Sequence, residues 1–170
     1  MHTHLKPWSP NDKDQLMNLC NSVDRRYLAD RLPNPYTMED ADFWLNLVSN
    51  AEKDKTGLFR AIVADDTIVG SISIECKGDI FRIDGEIGYM ILTDYWNKGI
   101  ATKAVGEISK LAFNILDISR ISAKIFEENI ASAKVLEKNG YILEGIMKNA
   151  VIKNGIIHNV LHYGFTNSKL

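Results

Sequence analysis

Asp94-Tyr95-Trp96-Asn97-Lys98-Gly99-Ile100-Ala101-Thr102 joins two segments whose apolar residues follow different periods. The apolar run before it, residues 87–92, is typical of a strand, whereas residues 99–116 carry apolar side chains at helical spacing. A helix that starts on small residues directly after a strand leaves several backbone N–H groups unpaired at its positive end. Because phosphate groups bind at such helix starts, the sequence predicts a phosphorylated ligand at this loop.

The composition is that of a globular protein with one core. The chain has 170 residues, of which 45% are hydrophobic and 25% charged, and its net charge is -2. This balance argues against nucleic acid as a partner, and no apolar run approaches the roughly 20 residues of a membrane span. The first residues lack the apolar core of a signal peptide, and Cys20 and Cys76 are expected to be free thiols. We therefore predict a cytoplasmic protein with a single domain over residues 1–170.

Turn and cap signals divide the chain into helices and strands. Helices are predicted to start at Ser9 and Thr37, and a short strand lies near Leu5. The other predicted elements are strands at 58–64, 67–76 and about 81–92, a helix at 99–116, a strand at 120–126, a helix at 130–139, and a hairpin of 141–152 with 156–165. Because hairpins and crossover helices both occur, the predicted fold is α/β, with a mixed, mostly antiparallel sheet flanked by about four helices.

Residues 96–102, Trp-Asn-Lys-Gly-Ile-Ala-Thr, resemble the acyl-CoA pyrophosphate loop Q/R-x-x-G-x-G/A of the GNAT N-acetyltransferases. Gly99 and Ala101 match its small positions. Trp96, in place of Gln or Arg, is typical of the RimJ/RimL-like branch, which acetylates the N-termini of ribosomal proteins. Three further segments resemble that branch in the same order: Pro-Tyr-Thr-Met-Glu-Asp-Ala at 35–41, Asn-x-x-Ser to Leu-Glu-Lys-Asn-Gly-Tyr at 129–141, and Tyr-Ile-Leu-Glu-Gly at 141–145.

The resemblance implies a site for acetyl-CoA and no metal. In this family the strand before the loop is bulged and splays from its neighbour, and the pantetheine arm lies in the gap. Gly88 is the expected bulge here, because a glycine inside a strand often marks one. The resemblance assigns the arm to the backbone of Met90, Ile91 and Leu92. It assigns the pyrophosphate to the N–H groups of Asn97, Lys98, Gly99, Ile100, Ala101 and Thr102.

Glu86 is the predicted general base, acting through a water, or else a residue that only orients the acceptor. It lies on the same strand face as Gly88 and Met90, and apolar neighbours would help a carboxylate to take up a proton near neutral pH. A solvent-facing strand residue is the alternative reading of Glu86. Asp84, two residues earlier, is a weaker candidate for the base.

The proton donor departs from the superfamily pattern. Many GNAT enzymes carry a Tyr seven residues after the Asn of the last α-helix, but this chain has Leu136 there. The resemblance assigns Ser132 to the sulfur, as a hydrogen-bonding group that can return the proton to the thiolate. Asn129 would bond the pantetheine amide and also cap the helix, although an ordinary N-cap is the simpler interpretation.

The acceptor is a primary amine, either a protein N-terminal α-amine or a small molecule. Tyr36, Ser73 and His158, together with Glu86, are the predicted acceptor contacts. His158 and His162 lie about 13 Å apart by strand rise, which is too far for one metal ion. Two other classes stay open, a catalytically silent acyl-CoA sensor and a nucleotide-binding protein, but the chain lacks GxxxxGK[ST]. The sequence leaves a monomer and a homodimer equally open.

Overall fold

The computed structural model describes residues 1–167, which build one seven-stranded sheet in the order β1-β2-β3-β4-β5-β7-β6. Its strands are β1 Thr3–Pro7, β2 Gly57–Ala64, β3 Thr67–Cys76, β4 Asp84–Ile91, β5 Arg120–Phe126, β6 Ile142–Lys153 and β7 Ile156–Thr166. Its helices are α1 Lys13–Ser22, α2 Met38–Lys53, α3 Ile100–Ile115 and α4 Ile130–Lys138. β4 and β5 run parallel and the other neighbouring strands run antiparallel. The predicted α/β fold and the order of its elements are confirmed.

The helices cover both faces of the sheet. On β2, Leu58 and Ile62 pack in the cluster that contains α3 and α4, whereas Ala61 and Val63 pack in the cluster that contains α1. Because side chains alternate between the two faces of a strand, α3 and α4 lie on one face of the sheet and α1 lies on the other. In the part of the chain that the structure describes, no helix is long and apolar enough to span a membrane.

The fourth strand of the sheet begins later than predicted. β4 starts at Asp84, and the preceding residues Asp79–Phe81 form a 3-10 turn instead. Asp79 has a φ of 57°, in the left-handed region, which breaks an extended strand. Phe81 is 61% exposed, so its apolar side chain does not contribute to a buried strand face.

The sheet splits between β4 and β5. Their ladder contains Asp84, Gly85 and Glu86, the last of which faces Ser122. Beyond that pair, β4 stays with β3 as far as Ile91, while β5 stays with β7 as far as Phe126. The predicted splaying of the sheet is therefore confirmed.

The predicted bulge at Gly88 is wrong. The register of β4 with β3 runs without a shift from Cys76↔Gly85 to Gly70↔Ile91, and Gly88 faces Ser73 within it. The split needs no extra residue, because β4 keeps its antiparallel partner and loses only its parallel one.

Candidate active site

A cleft of about 520 Å³ lies at the split between β4 and β5. Four segments line it: the end of β4, the loop and first turn of α3, the first turns of α4, and residues of the α1–α2 connection. The lining residues on β4 and the loop are Tyr89, Met90, Ile91, Tyr95, Trp96, Asn97, Gly99, Ile100, Ala101 and Thr102. A cleft of this volume accommodates a ligand of cofactor size.

The loop before α3 has the geometry of an anion site. Asn97 and Gly99 have φ values of 59° and 76°, and Gly99 is the N-cap in the left-handed conformation. No side chain caps the helix and its first turn holds no acidic residue. Lys103 donates its N–H to the Gly99 carbonyl, so the N–H groups of residues 100–102 have no partner within the helix. These donors and the helix dipole favour a phosphate group here.

Trp96 connects this loop to the end of β4. Its indole N–H donates a 2.8 Å hydrogen bond to the Ile91 carbonyl. The side chain that replaces the usual Gln or Arg therefore holds the loop against the strand. The Lys98 side chain packs over Tyr95, with its ammonium 5.1 Å from the centre of the Tyr95 ring. Lys98 is not among the residues that line the cleft.

The backbone N–H and C=O groups of successive β4 residues point alternately toward β3 and toward β5. The Asp84 carbonyl accepts a hydrogen bond from the Lys77 backbone N–H, and the Leu92 N–H donates to the Val69 carbonyl. The even-numbered residues of this strand therefore form their backbone hydrogen bonds with β3. By the same alternation, Met90 pairs with β3. The predicted backbone contacts of Met90 and Leu92 with the arm are therefore not available, because these groups already serve the sheet. Met90 still lines the cleft.

Tyr89 and Ile91 instead turn their backbone groups toward the split. The predicted contact of Ile91 with the arm stays a prediction and falls on its N–H, because its carbonyl accepts from Trp96. Tyr89 was not predicted, because only the pairing with β3 determines which residues of β4 face the split. The Tyr89 hydroxyl donates to the Ser132 carbonyl at 3.4 Å, so this side chain also contacts the start of α4. Burial raises the pKa of Tyr89 to about 12, and the phenol is neutral at physiological pH.

The first turn of α4 brings Asn129 and Ser132 into the cleft. The Asn129 side-chain oxygen accepts the Ser132 N–H at 3.2 Å, which makes Asn129 the N-cap. This cap uses one lone-pair direction of the amide oxygen and leaves the Asn129 NH₂ group to other partners. Leu136 is 0% exposed and belongs to the core, so it has no part in the cleft. Lys134 and Lys138 line the cleft further along the helix.

Glu86 lies beside cations rather than among the apolar side chains expected from the sequence. Its Oε2 accepts a 2.9 Å hydrogen bond from the Lys124 ammonium, and the Lys77 ammonium lies 3.9 Å away. The side chain is 38% exposed. The expected apolar environment is wrong, because Lys77, directly after β3, and Lys124 of β5 lie next to it. Glu86 lies where the split begins, outside the cleft lining, and its role stays a prediction.

Asp84 forms the centre of a polar cluster at the paired end of β4 and β5. It is 6% exposed, and its Oδ2 accepts from the Lys77 ammonium at 2.5 Å and from the Ser122 hydroxyl at 3.0 Å. The Arg120 Nε lies 3.7 Å from the same oxygen. Its Oδ1 is buried without a partner among residues 1–167. These contacts indicate that Asp84 joins the two strands rather than acting as a base.

The other predicted acceptor residues lie outside the cleft lining. Tyr36 is 5% exposed in the core between α1 and α2, and its hydroxyl donates to the Asp40 carbonyl. Ser73 is half-buried on β3. His158 lies 3.1 Å from Glu128, and this contact holds the pKa of Glu128 below its usual range.

The α1–α2 connection supplies cleft residues that the sequence did not indicate. Asp24, Arg26, Tyr27 and Leu28 line the cleft, although they lie far from the other lining segments in sequence. The Tyr27 ring packs against Phe126 at the end of β5, with ring centres 5.5 Å apart. Across the described part of the chain, no group of His, Cys, Asp or Glu side chains has the arrangement of a metal site.

The family model for the acetyltransferase (GNAT) domain matches residues 2–142 of this chain. The chain belongs to the GNAT acetyltransferase family. The prediction of an acetyl-CoA-dependent N-acetyltransferase is thereby confirmed at the level of the family. Among curated proteins, none matches the chain significantly.

Solved structures share the fold of this GNAT chain at low sequence identity. A ribosomal-protein-S5-alanine acetyltransferase from Vibrio fischeri is 22% identical, with a TM-score of 0.87 over 99% of this chain and 95% of its own. RimL, a ribosomal L7/L12 alpha-N-protein acetyltransferase in complex with coenzyme A, is 21% identical, with a TM-score of 0.86 over 96% and 93%. The microcin C7 self-immunity acetyltransferase, in complex with acetyl-CoA and AMP, is 20% identical, with a TM-score of 0.82 over 97% and 92%.

Proposed function

We propose that this protein transfers the acetyl group of acetyl-CoA to the α-amine of a protein N-terminus, as a RimJ/RimL-like enzyme. One observation carries the proposal. The cleft at the β4–β5 split contains the anion-binding loop, the free backbone groups of β4 and the Ser132 side chain together. A long ligand with a phosphate at one end and a reactive carbonyl at the other fits this order of groups.

The loop holds the donor by its pyrophosphate. The N–H groups of residues 97–102 bind the phosphates at the start of α3, and the Tyr89 backbone and the Ile91 N–H pair with the pantetheine arm. Asn129 offers its NH₂ group to the arm from the other side of the split. A backbone N–H of β4 that faces the split can also stabilise the oxyanion that develops on the thioester carbonyl.

Glu86 and Ser132 then act as proton acceptor and proton donor. The acceptor ammonium first loses one proton to solvent, and the resulting neutral amine attacks the thioester carbon, so that a C–N bond forms and the C–S bond breaks. Glu86, through a water, accepts the second proton, which the nitrogen loses after the attack. Ser132 donates a proton to the departing thiolate and recovers one from solvent. Tyr89 holds the first turn of α4 in place through the Ser132 carbonyl.

The choice of an N-terminal α-amine rests on two kinds of support. Two of the similar structures are enzymes whose names specify ribosomal-protein acceptors, and the branch motifs at 35–41, 96–102, 129–141 and 141–145 agree with them. The net charge of -2 provides no strong field that would attract a polycation, which disfavours a dedicated polyamine enzyme.

The test is a transfer assay with a panel of acceptors. Peptides with a free N-terminus should be acetylated at the α-amine, and the same peptides with a blocked N-terminus should not. Faster transfer to a small-molecule amine than to any peptide would identify a small-molecule amine acetyltransferase instead. Binding of acetyl-CoA without transfer to any amine would identify a silent acyl-CoA sensor.

We further propose that residues 1–170 work as one domain in the cytoplasm, as a monomer or homodimer, without a nucleic-acid partner. One sheet contains strands from Thr3 to Thr166, which supports a single domain. The unpaired thiols of Cys20 and Cys76 suit a reducing compartment. Equilibrium sedimentation and fractionation of the source cells would test these points.

A further inference from the structure

An ion pair joins the two strands at the point where the sheet splits. The Lys124 ammonium donates a 2.9 Å hydrogen bond to Glu86 Oε2. Glu86 faces Ser122 in the last pair of the β4–β5 ladder, and Lys124 lies two residues beyond Ser122. The pair therefore bridges the start of the split on the sheet face that carries Glu86.

This ion pair is exposed enough for another cation to replace Lys124. The Glu86 and Lys124 side chains are 38% and 40% exposed. Ion pairs at such positions contribute little to stability, because both charges remain well solvated when apart. The flexible stem of a lysine also lets its ammonium move while the strand stays in place. Lys124 can therefore leave Glu86 at small cost.

The neighbours of Glu86 favour another cation in the place that Lys124 leaves. Glu75 faces Glu86 directly in the β3–β4 register, and Asp84 lies on the same strand face. Like charges at such positions repel, and nearby cations relieve the repulsion. Arg31 lies 3.5 Å from Glu75 and serves that carboxylate, so Glu86 depends on a cation of its own. Lys77 lies 3.9 Å from Glu86 but only 2.5 Å from Asp84, which holds it at the buried end of the cluster.

We propose that the Lys124 ammonium is a placeholder for the acceptor, and that the ammonium of the acceptor displaces it from Glu86 on binding. This inference rests on the proposed function, since it places the acceptor nitrogen at Glu86. Lys124 is then a positioning residue that competes with the substrate. It sets the KM for the amine and leaves the binding of acetyl-CoA untouched.

Three variants test the placeholder. Lys124→Gln removes the competing charge and should lower the KM for a free-amine peptide about two- to fivefold, with kcat little changed. Lys124→Arg should raise that KM, because a guanidinium holds a carboxylate with two hydrogen bonds. Lys110→Gln is the matched control, since Lys110 is exposed on α3 and has no ion pair in the described part of the chain.

A binding measurement separates this inference from the proposed function. Calorimetry on the complex with CoA should show a free-amine peptide binding Lys124→Gln more tightly than the unaltered protein, while its N-acetylated form binds both alike. Equal affinity of the free-amine peptide for the two proteins, or a higher KM in Lys124→Gln, would overturn the placeholder. The proposed function fails separately, if the unaltered protein acetylates no amine.

Discussion

Gly99 holds the backbone conformation that presents the N–H groups of the loop. Its φ of 76° lies in the left-handed region, where a branched side chain is strained. We expect Gly99→Val to weaken acetyl-CoA binding at least tenfold, measured by calorimetry, because the N–H groups of residues 100–102 lose their common orientation. Gly155→Val is the matched control, with the same strain at a φ of 79° in the β6–β7 turn. Equal loss of affinity in both variants would contradict a specific role of the loop.

Replacement of Ser132 should lower turnover and leave the binding of acetyl-CoA unchanged. Removal of a proton donor costs about 100-fold or more in rate, so Ser132→Ala should lower kcat to that extent and keep the affinity for acetyl-CoA. Stopped assays and calorimetry measure the two quantities. Ser49→Ala, at an exposed position of α2 outside the cleft lining, should leave both unchanged. If Ser132→Ala lost affinity and kept kcat, the hydroxyl would hold the donor rather than supply a proton.

At the residue scale, sequence reasoning predicted local geometry well, and the roles assigned to that geometry stay predictions. The loop N–H groups and the Asn129 cap follow from neighbours within a few positions. It failed for Glu86, whose partner Lys124 lies 38 positions away and is brought near by strand pairing. Tyr89 was missed for a similar reason, since only the pairing with β3 determines which backbone groups face the split.

The short β4–β5 ladder depends on the polar cluster around Asp84. Asp84→Ala leaves the Lys77 and Arg120 cations without their shared buried carboxylate, and breaking such a pair costs about 3 kcal/mol. We therefore expect the free energy of unfolding to fall by about that amount in a urea titration. Asp117→Ala, at an exposed position, provides the control. A similar small change in both variants would show that the cluster does not hold the strands together.

At the element scale, the spacing of apolar residues predicted the ends of most helices and strands well. The strands at 67–76 and 120–126 match β3 and β5, because their alternation and turn residues agree. β4 was predicted too long, since Phe81 and Ile83 look like strand residues although both are exposed. Period alone cannot distinguish an apolar turn on the surface from the start of a buried strand.

The whole molecule should be stabilised by the donor that it binds. A ligand present at 100 times its Kd raises the free energy of unfolding by about 2.7 kcal/mol. Acetyl-CoA should therefore increase the Tm, and ATP or NAD at the same concentration should not. A shift with ATP or NAD and none with acetyl-CoA would point to a nucleotide-binding protein and contradict the assignment of the cleft.

The most direct test of the account is the transfer reaction itself, followed by mass spectrometry of the acceptor. The purified protein, acetyl-CoA and a peptide with a free N-terminus should yield one acetyl group on the α-amine and one free CoA for each acetylated peptide. The Gly99→Val variant should form neither product at a comparable rate. Binding of acetyl-CoA without acetylation of any peptide or small amine would contradict the account.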